Sequence, residues 1–314
     1  MTTGIIILSY NNIDETIKCI ESIEKVNTST IKYIIIDNGS SNPDVPHKLN
    51  IYFKNKFINR YLLLSDEDII PNSLPYCTFL TSKTNAGYAC GNKKGLKLAY
   101  HDREIDTILI LNNDVIFIDD FISDVRERLW NNENIMLATP LILKRDGKSI
   151  DLNCARKRKP YKFLIAWYLF VFKDVFGILN RLKQQLYILT NTENTKTDTI
   201  IEMPSGSCFM VKKKDFEKIE DFDPNTFLYY EEDILSAKIA KYGKKCILVP
   251  SHTCIHLGAT TTKKKASNFI FNTGIKSARY YAKNYLGINE LQYALLYLVT
   301  LISQTVHFIR NIFK

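Results

Sequence analysis

The segment Asp106-Thr107-Ile108-Leu109-Ile110-Leu111-Asn112-Asn113-Asp114 constrains this chain most. Leu109, Ile110 and Leu111 form a short continuous apolar run, the pattern of a strand covered on both faces. Strands of that kind belong to sheets with helices on either side. The run then breaks into two carboxamides and a carboxylate, where the strand must leave the sheet. In open α/β sheets, ligands bind beyond the carboxyl ends of strands. A carboxylate there is a donor for a hard divalent cation. Asn and Asp are also ordinary turn formers, so the segment taken alone is equally a polar turn.

The pattern repeats along the chain. Residues 4–8 are an apolar strand ending at Ser9-Tyr10-Asn11. Asn12 and Glu15 then make a capping-box-like helix start, and Ile13, Ile17, Ile20 and Ile23 give the helix its apolar stripe. A second strand, 33–36, ends at Asp37-Asn38-Gly39-Ser40. A strand at 77–80 leads to Asn85-Ala86-Gly87-Tyr88 and a helix through Ala99, and a further helix is predicted over 121–130. Strands alternating with helices predict an α/β fold with a mainly parallel central sheet flanked by helices on both faces.

Residues 155–198 interrupt the alternation. Phe163, Trp167, Phe170, Val171 and Phe176 fall near helical spacing in a basic stretch, and 190–198 is polar and loop-like. We read this block as a helical insertion, a surface lid. The alternation resumes at Ile200, with a helix over 234–242 and a strand over 245–249, and the chain beyond Ser267 is helical throughout. The expected organisation is one α/β domain over 1–266 carrying the 155–198 insertion, with a C-terminal helical extension over 267–314. Residues 291–309 contain no Lys, Arg, Asp or Glu. Gln292, Thr300, Ser303, Gln304, Thr305 and His307 dilute that stretch, so an interfacial helix is expected rather than a membrane span.

A chain of 314 residues with seven scattered cysteines and no CxxC pair fits neither a disulfide framework nor a zinc knuckle. With no basic, apolar leader pattern at the amino terminus, a cytoplasmic location is expected. The net charge of +9 is unevenly placed: residues 155–189 and 263–314 each hold eight basic residues against one acid. Both segments are also aromatic and aliphatic. Basic plus apolar points to an anionic membrane surface. Nucleic-acid binding is not expected, because neither segment carries a recognition helix or an aromatic RNA motif.

Six polar clusters therefore stand at strand ends or in adjoining loops: those at Ser9, Asp37, Asn85 and Asn112, then Glu231-Glu232-Asp233 and His256-Leu257-Gly258. Each has a plain structural explanation. The Asp37 cluster suits a turn, a lone histidine is usually a core or surface residue, and three acids opening a helix suit its dipole. Their joint occurrence in this order is what argues for chemistry. The joint presence of Asp114, Glu232 and His256 argues against a binding protein without turnover. A sugar-phosphate nucleotidyltransferase would place a Gly-rich, basic phosphate loop where this chain has Ser9-Tyr10-Asn11.

Here the chain resembles the family 2 glycosyltransferases, in particular the rhamnosyltransferase-like branch of bacterial polysaccharide, O-antigen and capsule synthesis. The resemblance covers residues 4–287, with 155–198 poorly matched. It rests on Ile6-Ile7-Leu8-Ser9-Tyr10-Asn11, Ile36-Asp37-Asn38-Gly39-Ser40-Ser41, Asn85-Ala86-Gly87-Tyr88-Ala89-Cys90-Gly91-Asn92, Leu111-Asn112-Asn113-Asp114, Gly206-Ser207-Cys208-Phe209-Met210, Tyr229-Tyr230-Glu231-Glu232-Asp233, His256-Leu257-Gly258 and Tyr280-Tyr281-Ala282-Lys283-Asn284. It implies a nucleotide-diphospho-sugar transferase (glycosyltransferase A) fold. It also implies a donor site formed by Ser9, Tyr10, Asn11, Asp37, Asn38, Asn85, Gly87, Asn92, Asn112 and Asn113. Asp114 and His256 would hold Mg2+ or Mn2+. The base would be Glu232, with Glu231 and Asp233 as alternative registers. The implied partners are a nucleotide-diphospho-sugar, with dTDP-rhamnose ahead of UDP-hexoses, and a lipid-linked or polysaccharide acceptor. The implied reaction is a single displacement with inversion, at the inner face of the cell membrane. The sequence departs from the family pattern where Asn112 replaces the first acid of the metal motif and Lys283 the usual arginine.

Overall fold

The structure is a computed structural model and describes residues 1–174, 176–189, 197–258 and 268–312. The amino-terminal half lays down β1 (Thr2–Ser9), α1 (Ile13–Val26), β2 (Ile31–Asp37), α2 (Asp44–Lys56), β3 (Tyr61–Ser65), β4 (Cys77–Thr81), α3 (Gly87–His101) and β5 (Ile105–Asn112). Short β6 (Val115–Phe117), α4 (Ile122–Trp130) and β7 (Ile135–Lys144) follow. After them come α5 (Tyr161–Phe170), α6 (Ile178–Leu186), β8 (Thr199–Ile201), β9 (Cys208–Lys212), α7 (Lys213–Lys218), α8 (Glu231–Lys241) and β10 (Lys245–His256). Two long helices close the chain, α9 (Asn268–Tyr285) and α10 (Glu290–Ile312).

The strands form one sheet in the order β3-β4-β2-β1-β5-β9-β7-β10-β6, with β8 also paired to β10. The pairings make β3, β4, β2, β1, β5, β7 and β10 run the same way, with β9, β6 and β8 reversed. The expected mainly parallel sheet is therefore present, with a reversed strand inside it. Residues 5–7, 34–36 and 108–111 are wholly buried, as runs covered on both faces must be. After β1 the chain builds outward through β2 to β3 and β4, then returns to place β5 on the other side of β1. That switch lies between Ser9 and Asn112, which is where an open α/β sheet presents a crevice.

Helix α1 begins as the sequence indicated. The Asn12 side chain accepts from the Glu15 backbone N–H at 3.3 Å, and Ile20 and Ile23 are fully buried. Helix α2 and strand β3 were not foreseen. Strand β3 is a half-exposed edge strand with no continuous buried run, and α2 has only Val45, Leu49 and Phe53 on its buried face. Strand β10 runs beyond the expected 245–249 through a register shift as far as His256.

A second, smaller core lies apart from the sheet. Phe163, Leu164 and Tyr168 of α5 and Leu179 and Leu186 of α6 pack with Ile275, Ala278 and Tyr281 of α9, and with Leu296 and Val299 of α10. The 155–198 block and the C-terminal helices thus form one helical layer that shares its interior. Most of the expected loop at 190–198 lies outside the described residues. Helix α10 is long and apolar enough, by length and composition, to cross a bilayer, and 22% of its apolar window is buried.

Candidate active site

The loops after β1, β2 and β4 are stitched together at the switch point. The Asn38 amide donates to the Asn85 side chain at 3.1 Å and to the Gly87 carbonyl at 3.0 Å, and its own oxygen accepts from the Ala86 N–H at 3.2 Å. The Asn38 N–H donates to the Ser9 carbonyl at 2.9 Å. Asn11 has a left-handed backbone (φ 56°), and its N–H donates to the Ser40 hydroxyl at 2.9 Å. Asp37 is buried at the foot of this loop, where it accepts from the Ser40 N–H at 3.1 Å and from the Ser40 hydroxyl. Burial raises the Asp37 carboxyl above its usual range, against the opposing pull of those donors. Tyr10 sits partly exposed at the end of β1. Asn92, expected among the donor contacts, lies under the loop at 1% exposure, its amide donating to the Tyr88 carbonyl at 3.0 Å.

Gly87 is the pivot of this assembly. Its φ is +82°, and a Cβ there would lie 2.3 Å from the Phe227 carbonyl oxygen. The adjacent Tyr88 N–H donates to that same carbonyl at 2.9 Å. Gly87→Ala therefore combines backbone strain with a clash against an immovable main chain. It should cost more than about 2 kcal/mol of stability and weaken nucleotide binding. Urea unfolding and nucleotide titration check this; a neutral substitution would mean the two loops do not hold one another.

The strand pairing explains how Asp114 and His256 come together from opposite ends of the sequence. Val115 of β6 pairs with His256 of β10, and the Leu257 N–H extends the ladder to the Asp114 carbonyl at 2.9 Å. The Asp114 carboxylate lies 3.3 Å from His256 Nε2. On the other side of the ring, Asp151 Oδ2 is 3.8 Å from Nδ1. Burial acts to lower the His256 pKa, but the two carboxylates outweigh it and raise the pKa to about 10. The ring thus lies between two acids that favour its protonated form. Asp151 was not foreseen. It lies in a segment with no apolar periodicity, and only the turn after β7 brings it to the histidine. The backbone N–H of Asn112 donates to the Ser207 carbonyl at 2.8 Å, and the Asn113 side-chain amide donates to the Thr16 hydroxyl at 2.9 Å.

The three acids at the start of α8 have three different surroundings. Asp233 is fully buried and ion-paired with Lys159, whose N–H also donates to it at 2.9 Å. Glu231 is buried with one carboxylate oxygen lacking a partner; burial first, then the neighbouring charge of Glu232, raises its pKa to about 8. Glu232 is the partly exposed one, and its Oε1 accepts from the Gly206 N–H at 3.2 Å. A Cβ on Gly206 would lie 2.5 Å from that oxygen, so glycine is what admits the carboxylate. Tyr229 and Tyr230 just before the helix have φ of 72° and 71°, a conformation that costs about 1–3 kcal/mol per residue without glycine. Stacking of Tyr230 on Tyr281, with centroids 5.6 Å apart, and the Lys159 ammonium over its ring help hold that turn.

These groups form one constellation. Ser207 accepts from the Asn112 strand end, Gly206 donates to Glu232, and the Tyr88 hydroxyl donates to the Gly206 carbonyl at 2.6 Å. The start of α3, the Asn112 end of β5 and the start of α8 thus meet at residues 206–207. Tyr88 and Lys159 were missed as site residues, since neither residue type nor spacing marks them.

No protein-family profile matches the chain. Curated relatives include the low-salt glycan biosynthesis hexosyltransferase Agl10 of Haloferax volcanii, 22% identical over 206 residues, 63% of this chain and 58% of that protein. Another is the rhamnosyltransferase WbbL of Escherichia coli K12, 23% identical over 176 residues, 54% of this chain and 61% of that protein. The chain thus spans about three-fifths of the length of each. Among solved structures, GalNAc-T7 with UDP, GalNAc and Mn2+ superposes with a TM-score of 0.59 at 13% identity, covering 89% of this chain and 47% of that one. The chain is built on the glycosyltransferase A fold, and the curated proteins it is similar to are glycosyltransferases.

Proposed function

We propose that the chain is an inverting glycosyltransferase, moving a sugar from a nucleotide-diphosphate donor to a hydroxyl of a lipid-linked or polysaccharide acceptor. Rhamnose is the first choice of sugar, from the sequence motifs and from the name of the WbbL relative. The observation that carries the reading is the hydrogen-bonded junction at 206–207, which sets Glu232 beside the strand end that leads to Asp114. On this reading the catalytic portion comprises 1–266.

The roles follow from the surroundings. The Asn38–Asn85 loop and Asp37 would hold the nucleotide, since buried, pre-bonded polar groups orient a ligand without reorganising. Glu232 is the acid with partial solvent access, no ion-pair partner among the described residues and an N–H fixing its orientation. It would take the proton from the acceptor hydroxyl. With one base and no nucleophile assigned, transfer is a single displacement with inversion. The donor set also suits a divalent cation: a carboxylate and an imidazole, hard and borderline donors, face each other at Asp114 and His256. Such a cation, when bound, would neutralise charge on the leaving diphosphate. A screen of nucleotide sugars for donor hydrolysis and transfer, with and without Mn2+ or Mg2+, tests the reading. Binding without turnover on any donor would convert it to a nucleotide-sugar-binding protein.

The location is part of the proposal. Leu291, Leu295, Leu298, Ile302, Val306 and Ile309 are exposed at helical spacing along α10. Exposed Lys276 and Lys283 lie on the adjoining α9. An apolar stripe beside cations suits an anionic leaflet at the cytoplasmic face, with α10 lying on the surface. Because Leu296 and Val299 belong to the second core, removing α10 would open that core; surface variants test the idea better. Leu298→Glu with Ile302→Glu should lower binding to phosphatidylglycerol-containing vesicles by on the order of tenfold or more. It should leave nucleotide binding unchanged. Unaltered, salt-insensitive vesicle binding would reject the surface role of this stripe.

A further inference from the structure

A cavity of about 650 Å³ opens on the helical layer, next to Glu232 and outside the loops assigned to the donor. That volume lies in the range of small-molecule sites. Its walls are aromatic, with Phe163, Trp167 and Tyr168 from α5 and Phe271 from α9, and Glu232 stands at one end. Arg156, Lys159 and Lys183 also line it. Among the described residues neither Arg156 nor Lys183 is paired with a carboxylate. The contrast with Lys159, which lines the same cavity and is neutralised by Asp233, is informative. The Lys183 ammonium lies over the Trp167 ring, 4.7 Å from its centroid. Among the described residues the buried Arg156 Nε has no hydrogen-bond partner, and its backbone is fixed by bridges to Tyr187 and Met203. A buried donor left unpaired is costly, and a ligand that accepts from it removes the cost.

We infer that this cavity is a second ligand site, for a phosphate-bearing molecule whose body lies on the aromatic wall and whose phosphate is held by Arg156 and Lys183. Deepening the proposed function, on which the acceptor role rests, the site makes the acceptor an anion. A hydroxyl of that molecule faces Glu232 while its phosphate is held by the two cations. Guanidinium suits phosphate oxygens in a forked geometry, and Trp167 presents a flat apolar face to a sugar ring or a hydrocarbon chain. A phosphorylated lipid and a phosphorylated sugar share this chemistry.

The test is direct binding, read from Trp167 fluorescence and by calorimetry on the full chain. The probes are farnesyl diphosphate, farnesol and glucose 1-phosphate. Farnesyl diphosphate or glucose 1-phosphate should bind roughly tenfold or more tightly than farnesol. The tighter of the two phosphates identifies the lipid or the sugar as the source. Lys183→Gln and Arg156→Gln should each weaken that binding about tenfold, with UDP or dTDP affinity and the thermal midpoint unchanged. Should Arg156→Gln fail to fold, Lys183→Gln on the cavity rim carries the test. Farnesol binding as tightly as both phosphates, or no saturable phosphate binding in protein that binds nucleotide, overturns the inference. Phosphate binding without nucleotide binding would instead keep this site and count against the proposed transfer.

Discussion

Glu232→Gln should abolish sugar transfer, by about 10²-fold to 10⁴-fold, the usual contribution of a general base. Donor affinity should stay within about twofold, because no donor-loop hydrogen bond involves this side chain. The substitution is informative because the amide keeps the shape and the oxygen that accepts from the Gly206 N–H. What is lost is the capacity to take a proton. The neighbouring acids are poor substitutes for different reasons. Asp233 is held by Lys159 in a fully buried pair, so its removal should strand a buried cation and unfold the helical layer before it affects chemistry. Glu231, with its pKa near 8, holds its proton at neutral pH. Part of that elevation comes from the Glu232 charge, so in Glu232→Gln the Glu231 pKa should fall. Carboxylate titration by NMR reads this shift directly. Normal turnover in Glu232→Gln would reject the base assignment, and loss in Glu231→Gln alone would move the role by one residue.

Much of the amino-terminal half was legible because two periodicities coincide with polar punctuation. Runs such as 5–7, 34–36 and 108–111 are buried on both faces, so their composition alone identifies them. The polar residues that follow mark the carboxyl edge of a parallel sheet. Edge strand β3 and the reversed β9 lack that signature: the first is half exposed, and the direction of the second is a property of the whole sheet. The meeting of Asp114 with His256 was expected from the motifs, but its cause is the β6–β10 pairing, set by a three-residue strand that no pattern announces. Asp151, Lys159 and Tyr88 were unreadable for a related reason. Each reaches its partner through tertiary placement, across 105, 74 and 118 residues. The choice among Glu231, Glu232 and Asp233 was likewise open in the sequence, since three adjacent acids differ only in what surrounds them once α8 is packed.

Asp114→Ala should lower turnover by on the order of 10²-fold or more, the cost of removing a main electrostatic stabiliser. It should also weaken Mn2+ binding measured by calorimetry or electron paramagnetic resonance. The neighbouring Asn113 is not placed to replace it, because its side-chain amide is engaged by Thr16. Asp114→Asn separates charge from shape: it should lose cation affinity while keeping the β6–β10 ladder, which runs through backbone groups. The histidine supplies a second readout with a definite sign. With its pKa raised to about 10, His256 carries a proton through the neutral range, and a cation bound to Nε2 must displace it. Mn2+ affinity should therefore rise with pH, by up to about tenfold per unit at the limit of one proton released, and level off near pH 10. The same titration in Asp114→Asn should be weaker and shallower, since losing the nearer carboxylate lowers the His256 pKa. If Mn2+ binds Asp114→Ala as it binds the unaltered protein, with the same pH slope, the cation lies elsewhere. Asp114 and His256 would then be an ion pair that fastens β6 to the end of β10.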